Sequence, residues 1–208
     1  MGRENCLKKL LVEGSSDQHV VWALCKMQHI PETFDVINCE GFPKLIDAIP
    51  VRLKSSGIKT LGIVVDADLS LENRWLSLRA TLLNSGVCIP ESLPESGLIV
   101  EGDALKVGVW IMPDNNTKGM LEDFISFLVP DDDKLMPVVN TTLSEIESKD
   151  LQHYNKETHR SKAKIHTWLA WQEDPGTPMG LSITKRYLST EQEIGKAFTS
   201  WLTELFKE

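Results

Sequence analysis

Four carboxylates stand in two close pairs, Glu13 with Asp17 and Asp66 with Asp68, and each pair ends an apolar run. Residues 10–17 read LLVEGSSD, and residues 61–68 read LGIVVDAD. A short apolar run that stops abruptly in acids is what a buried strand of a parallel sheet gives when it carries carboxylates to the sheet's edge. With the two strands side by side, all four groups converge. Such a set of hard oxygen donors suits Mg²⁺ or Mn²⁺ and not a soft metal.

The elements that must position these acids follow from periodicity. A first strand over residues 7–13 leads through Gly14, which permits a tight turn, into a helix whose apolar face is Val20, Val21, Leu24 and Met27. Ser15 or Ser16 is available to cap that helix, and Asp17 falls in its first turn, where an acid is favoured by the helix dipole. A second strand is expected over 34–39, then a helix over 42–55 that Pro50 should kink or split. The third strand, 60–65, is β-branched and apolar on both faces, as a central parallel strand should be. Strand spacing then turns Asp66 and Asp68 to one side and Ala67 to the other. A helix over 71–85 completes a β-α-β-α-β-α series, which implies parallel strands with the functional edge at their C-terminal ends.

Residues 88–96, with Pro90 and Pro94, read as a linker. Two apolar runs around Gly102-Asp103 suggest an antiparallel pair, followed by a polar loop over 113–119. A helix over 120–129 carries Glu122 and Asp123 near its start, where acids are commonly just solvated. The triplet 131–133 reads as a surface turn without the spacing of an EF-hand. Residues 143–155 are a polar helix or irregular. Residues 158–172 form a helix with a basic start at Arg160, Lys162 and Lys164 and with Ile165, Trp168, Leu169 and Ala170 inward. The segment 174–180 is a lid or a connector. Thr190, with Glu193 at capping-box distance, should open a last helix whose stripe is Ile194, Phe198, Trp201, Leu202 and Leu205. The expected organisation is an α/β core over residues 1–130 with a mostly helical elaboration over 131–208, packed as one unit.

Composition excludes several classes. A chain of 208 residues with 41% hydrophobic and 25% charged residues is ordinary for a globular protein. No run approaches the roughly 18 apolar residues of a spanning helix, and the first residues carry charges where a signal segment would be apolar, so a cytoplasmic, non-membrane protein is expected. Cys6, Cys25, Cys39 and Cys88 form no C-x-x-C pair, which argues against zinc and fits reduced thiols. A net charge of −8, from 22 basic and 30 acidic residues, argues against coating nucleic acid by bulk attraction. Bound divalent ions would invert the field locally and let phosphate approach.

An apolar strand ending in Glu13-Gly14-x-x-Asp17, then one ending in Asp66-x-Asp68, resembles the Toprim fold of type IA topoisomerases, primases and the OLD-family nucleases, and also a group of small stand-alone Toprim proteins. The resemblance covers roughly residues 7–129 and implies a Toprim-like, Rossmann-like sheet flanked by helices. It implies Mg²⁺ or Mn²⁺, one or two ions, on Glu13, Asp66 and Asp68, and its OLD-type subset adds Asp17 and, through Gly119-x-x-Glu122, Glu122. Asp66 would bridge two ions, and Glu13 would be a ligand or, with a single ion, a general acid or base. Lys162 or Lys164 would match the lysine beyond the last acid that neutralises charge on phosphorus.

Of the Toprim activities, strand passage needs a tyrosine nucleophile on large extra domains, whereas only Tyr154 and Tyr187 are present, and priming needs a zinc domain that the cysteines do not provide. Phosphodiester hydrolysis of DNA or RNA remains, with phage defence or DNA repair as the settings the OLD resemblance suggests. Two alternatives stay open. One is a non-catalytic nucleic-acid-binding or assembly subunit working with a separate ATPase, or as a homodimer; the other is a phosphatase or glycosyltransferase using Asp66-x-Asp68, which leaves the first motif unexplained. His166, one turn from Lys162, is a further candidate for proton transfer, and Trp168 with Trp171 for stacking on bases, against the blander reading of both tryptophans as core.

Overall fold

The computed structural model describes residues 7–103 and 105–207, so Cys6 lies outside the described residues. The chain runs β1 (Lys8–Val12), α1 (Ser15–Met27), β2 (Asp35–Asn38), α2 (Phe42–Lys54), β3 (Thr60–Asp66), α3 (Leu71–Asn84), β4 (Leu98–Glu101), β5 (Lys106–Met112) and α4 (Leu121–Phe127). Four more helices follow: α5 (Leu135–Ser148), α6 (Lys156–Ala170), α7 (Met179–Thr184) and α8 (Glu193–Phe206). The strands form one sheet in the order β2-β1-β3-β5-β4, parallel except for the antiparallel edge strand β4. This is a mostly parallel α/β architecture with a helical C-terminal part.

Both faces of the sheet are covered, which is why its central strands are apolar throughout. Leu61, Ile63 and Val65 of β3 share one core with Leu45 and Ile49 of α2 and Trp75, Leu78 and Leu82 of α3. Val64, Leu10 and Trp110 face the other core, built with α1 and α4 to α8. In register, Gly62 lies opposite Gly108, and these two positions leave the sheet flat where α8 crosses it. Leu205 and Phe206 fill that space so closely that a Cβ on Gly62 or Gly108 would meet Leu205 at 3.0 or 2.6 Å. Trp201 donates its indole N–H to the Leu98 carbonyl at 3.0 Å, and Phe206 stacks on Phe34 at 3.8 Å between ring centres. The last helix therefore packs on β3, β5 and β4.

Several elements depart from the sequence expectation for identifiable reasons. α2 runs through Pro50 without a break, its inner face fixed by Leu45 and Ile49. α5 starts at Leu135, not near 143, because Asp133 accepts the N–H of Leu135 and of Met136 at 3.0 and 2.6 Å, so the last acid of the triplet closes a helix start instead of merely meeting solvent. Thr190 does not cap α8. Its hydroxyl accepts from Gln28, and the helix opens after Gln192. Ala170 is exposed instead of inward.

The expected lid or connector runs straight into a short helix, α7, seated on α1. Gly180 approaches α1 so closely that an added Cβ would stand 2.7 Å from the His19 carbonyl oxygen. Backbone cannot yield there as a side-chain tip would. Gly180→Ala should therefore cost about 1–3 kcal/mol of stability, read as a shifted urea midpoint at unchanged slope, and an unchanged midpoint would show that α7 is not held this tightly.

Candidate metal centre

Beside β1, the chain continues in opposite directions: β2 lies on one flank and β3 on the other. The C-terminal ends of strands at such a reversal form the crevice where ligands of open α/β sheets sit. β1 pairs with β3 so that Val12 lies opposite Val64. Glu13 and Asp66 thus emerge together at that edge.

Three sequence-distant segments are joined there by backbone N–H groups donating to carboxylates. The Asp66 N–H donates to Glu13 Oε1 at 2.9 Å, and the Leu121 N–H donates to Asp66 Oδ1 at 2.9 Å. Asp17 turns back on its own helix start, its Oδ2 accepting the Gly14 N–H at 3.0 Å, so Asp17 and not a serine caps α1. Asp17 Oδ1 is buried without a hydrogen-bond partner. Glu122, far from being a solvated first-turn acid, is 6% exposed, with Lys162 Nζ at 3.7 Å from its Oε1. Glu13, Asp17, Asp66, Glu122 and Lys162 line one cleft of about 480 Å³.

The electrostatics follow from that crowding. Burial pushes the Asp17 carboxyl up to about 7, with the charges of Glu13 and Glu122 adding to the rise against the Gly14 N–H. Asp66 is raised well above the usual carboxylate range, first by burial and then by Asp17, Glu13, Glu122 and Asp68. Glu13 is raised by burial, although the Asp66 N–H and Arg74 pull the other way. Such a set is costly unless a cation is shared among its members.

Asp68 is placed differently from the strand-spacing expectation. β3 stops at Asp66, and Asp68 adopts a left-handed conformation with φ of 52°. Its backbone makes a two-bond bridge to Gly119, N–H to carbonyl at 2.7 Å and the reverse at 2.9 Å, which locks the turn after β3 to the turn before α4. The Asp68 carboxylate consequently leaves the face Asp66 uses and pairs with Arg74. It lines two neighbouring cavities instead of the cleft.

Of the two lysine candidates, Lys162 reaches the cleft, while Lys164 does not line it and stands in the field of Asp123, with burial pushing its ammonium down. His166 is exposed. Trp168 is core, 1% exposed, and donates to Asp133 at 3.2 Å, so the two tryptophans do not form a stacking pair; Trp171 is exposed.

Arg74 is the cation beside these acids that sequence reasoning missed. It pairs with both Glu13, at 3.9 Å, and Asp68, and its guanidinium lies over the Phe42 ring at 3.7 Å. The one signal for it was a cation four residues beyond Ser70, the side-chain cap of α3 directly after Asp66-x-Asp68. Asn38, Glu40 and Gly41 also line the cleft.

The carboxylates that line the cleft offer oxygen donors, which fits Mg²⁺ or Mn²⁺. Among the described residues, no three His, Cys, Asp or Glu side chains are gathered so that they could hold a metal ion. Like charges keep apart until a cation offsets them. The unpartnered oxygen of Asp17 is what such an ion would take up. A wider groove of about 890 Å³ between α1 and the edge strand β2 contains none of these acids. No helix among the described residues is long and apolar enough to cross a membrane.

The chain is similar to the solved C-terminal region of the OLD protein of Xanthomonas campestris pv. campestris, at 15% identity over 99% of this chain and 90% of that one, with a TM-score of 0.41. No curated protein matches it. Residues 7–207 match the profile of DUF3226, a family described as of unknown function, and the chain belongs to that family.

Proposed function

We propose that this protein hydrolyses phosphodiester bonds of nucleic acid with Mg²⁺ or Mn²⁺ held by Glu13, Asp17, Asp66 and Glu122. The observation that carries this reading is the buried, unpartnered Oδ1 of Asp17 in a cleft shared with four further acids, Glu13, Glu40, Asp66 and Glu122, and a lysine. Carboxylates serving only the fold would be expected to spend both oxygens on donors. Here Glu13 and Asp66 each give one oxygen to a backbone N–H of the next motif, which fixes the carboxylate plane and leaves the other oxygen outside that bond. The motif resemblance to Toprim and OLD-type nucleases names the reaction class.

A bound divalent ion supplies water activation and charge neutralisation at phosphorus. The chain's own groups do the rest. Asp66, at the centre of the cluster, is held by Leu121 and orients the set. Lys162, half-exposed at the rim, presents a cation to a non-bridging phosphate oxygen. Arg74 balances Glu13 and Asp68, so metal binding must compete with it.

Arg74→Met keeps an apolar contact over Phe42 and removes that competition. It should tighten Mn²⁺ binding about tenfold by calorimetry while lowering the metal-free melting temperature. Weaker binding would contradict the competing role. The proposed activity itself is tested by incubating plasmid, single-stranded DNA and RNA with Mn²⁺ or Mg²⁺. Cleavage that EDTA abolishes supports it, and inertness on all three with both metals overturns it.

A further inference from the structure

A second recess, of about 850 Å³, adjoins the acidic cleft, with Lys162 lining both. One wall is the first turns of α6 and the other is the turn around Lys118 and Gly119, beside Leu69. In a chain of net charge −8, this recess concentrates Lys118, Lys156, His159, Arg160 and Lys162. Its acids are partly engaged: Asp68, itself exposed, pairs with Arg74, and Asp123 accepts the Met120 N–H and the Ser161 hydroxyl, while Glu157 is exposed too. Arg160 is held by Glu147, and Lys156 by the Glu147 carbonyl, so the α6 wall is ordered. Lys118 stands exposed.

From this juxtaposition we infer that the recess is the track for the sugar-phosphate backbone of a single nucleic-acid strand, which it leads past Lys162 to the acidic cleft. Cations along the recess fit successive phosphates, and Leu69, 55% exposed, offers an apolar contact for a base. In a duplex the bases are paired and stacked inside, so none is free to reach Leu69. This inference rests on the proposed function for the direction of the strand, but the binding itself requires no metal.

The test is fluorescence anisotropy of labelled oligo(dT), oligo(U) and a duplex, each of about 16 units, in EDTA over a series of salt concentrations. The wild type should bind one or both single strands more tightly than the duplex. Lys118→Glu with Lys156→Glu should weaken strand binding at least tenfold and flatten the plot of log affinity against log salt by about 1.4, at about 0.7 for each phosphate no longer neutralised. Lys54→Glu with Lys149→Glu, exposed lysines outside the recess, changes the net charge equally and should leave the slope alone. Preference for duplex, or equal losses in the two lysine pairs, would overturn the inference even if the enzyme cleaves. Intact strand binding without any cleavage would leave the track standing and remove the hydrolase.

Discussion

Asp66→Asn should lower metal-dependent cleavage by a factor of at least about 10³ while raising the melting temperature of the metal-free protein. Both effects come from one position. Asn retains an oxygen to accept the Leu121 N–H, so the tie between β3 and α4 survives. What disappears is the negative charge that four neighbouring carboxylates now oppose. A catalytic group held at the expense of stability gives this opposite response, whereas a structural acid loses stability when neutralised. Cleavage within tenfold of wild type in a folded Asp66→Asn protein would assign the activity to another site or a contaminant.

The second large effect is the dependence of stability on pH and metal. Asp17, near pKa 7 in the fold, titrates near 4 in the unfolded chain, so between those values the native state holds a proton that the unfolded state has released. The stability that Asp17 governs is therefore full below about pH 4 and declines as pH rises through 7, by on the order of 3–4 kcal/mol. The raised groups Glu13 and Asp66 act in the same direction. Metal-free protein should melt about 5–10 °C lower at pH 8 than at pH 5.5. Mn²⁺ should restore more stability at pH 8, where fewer protons compete for the carboxylates. Asp17→Asn, which keeps an acceptor for the Gly14 N–H, should flatten the profile. A melting temperature that rises from pH 5.5 to 8 in EDTA would contradict the crowding of these acids.

How much of this could be read from the sequence differs by element. The strands that end in Glu13 and Asp66 were evident because a parallel strand covered on both faces shows as an unbroken apolar run, and its stopping point is where the acids start. Asp68 was misplaced because i, i+2 alternation assumes the strand continues, while the bridge to Gly119 turns the backbone left-handed there. Six residues of α7 are too few to display a helical period, and its hold on α1 depends on the absence of a side chain at Gly180. Arg74 reaches Glu13 across the fold, so local patterning gave it no role, whereas Asp133 caps Leu135 and Met136 locally and was hidden by reading its acidic triplet as a surface turn. Lys162 and Lys164 differ only in helical phase: the first reaches Glu122 and the second lies toward Asp123.

The most direct measurement is Mn²⁺ titration followed by electron paramagnetic resonance at pH 8, on wild type and on Asp66→Asn and Asp17→Asn. The free-ion signal should be quenched at one or two equivalents by the wild type, and the variants should show affinity reduced by about a hundredfold with their folds intact. Wild-type protein that leaves the signal unquenched, or variants that bind as it does, would mean that these carboxylates do not hold the ion.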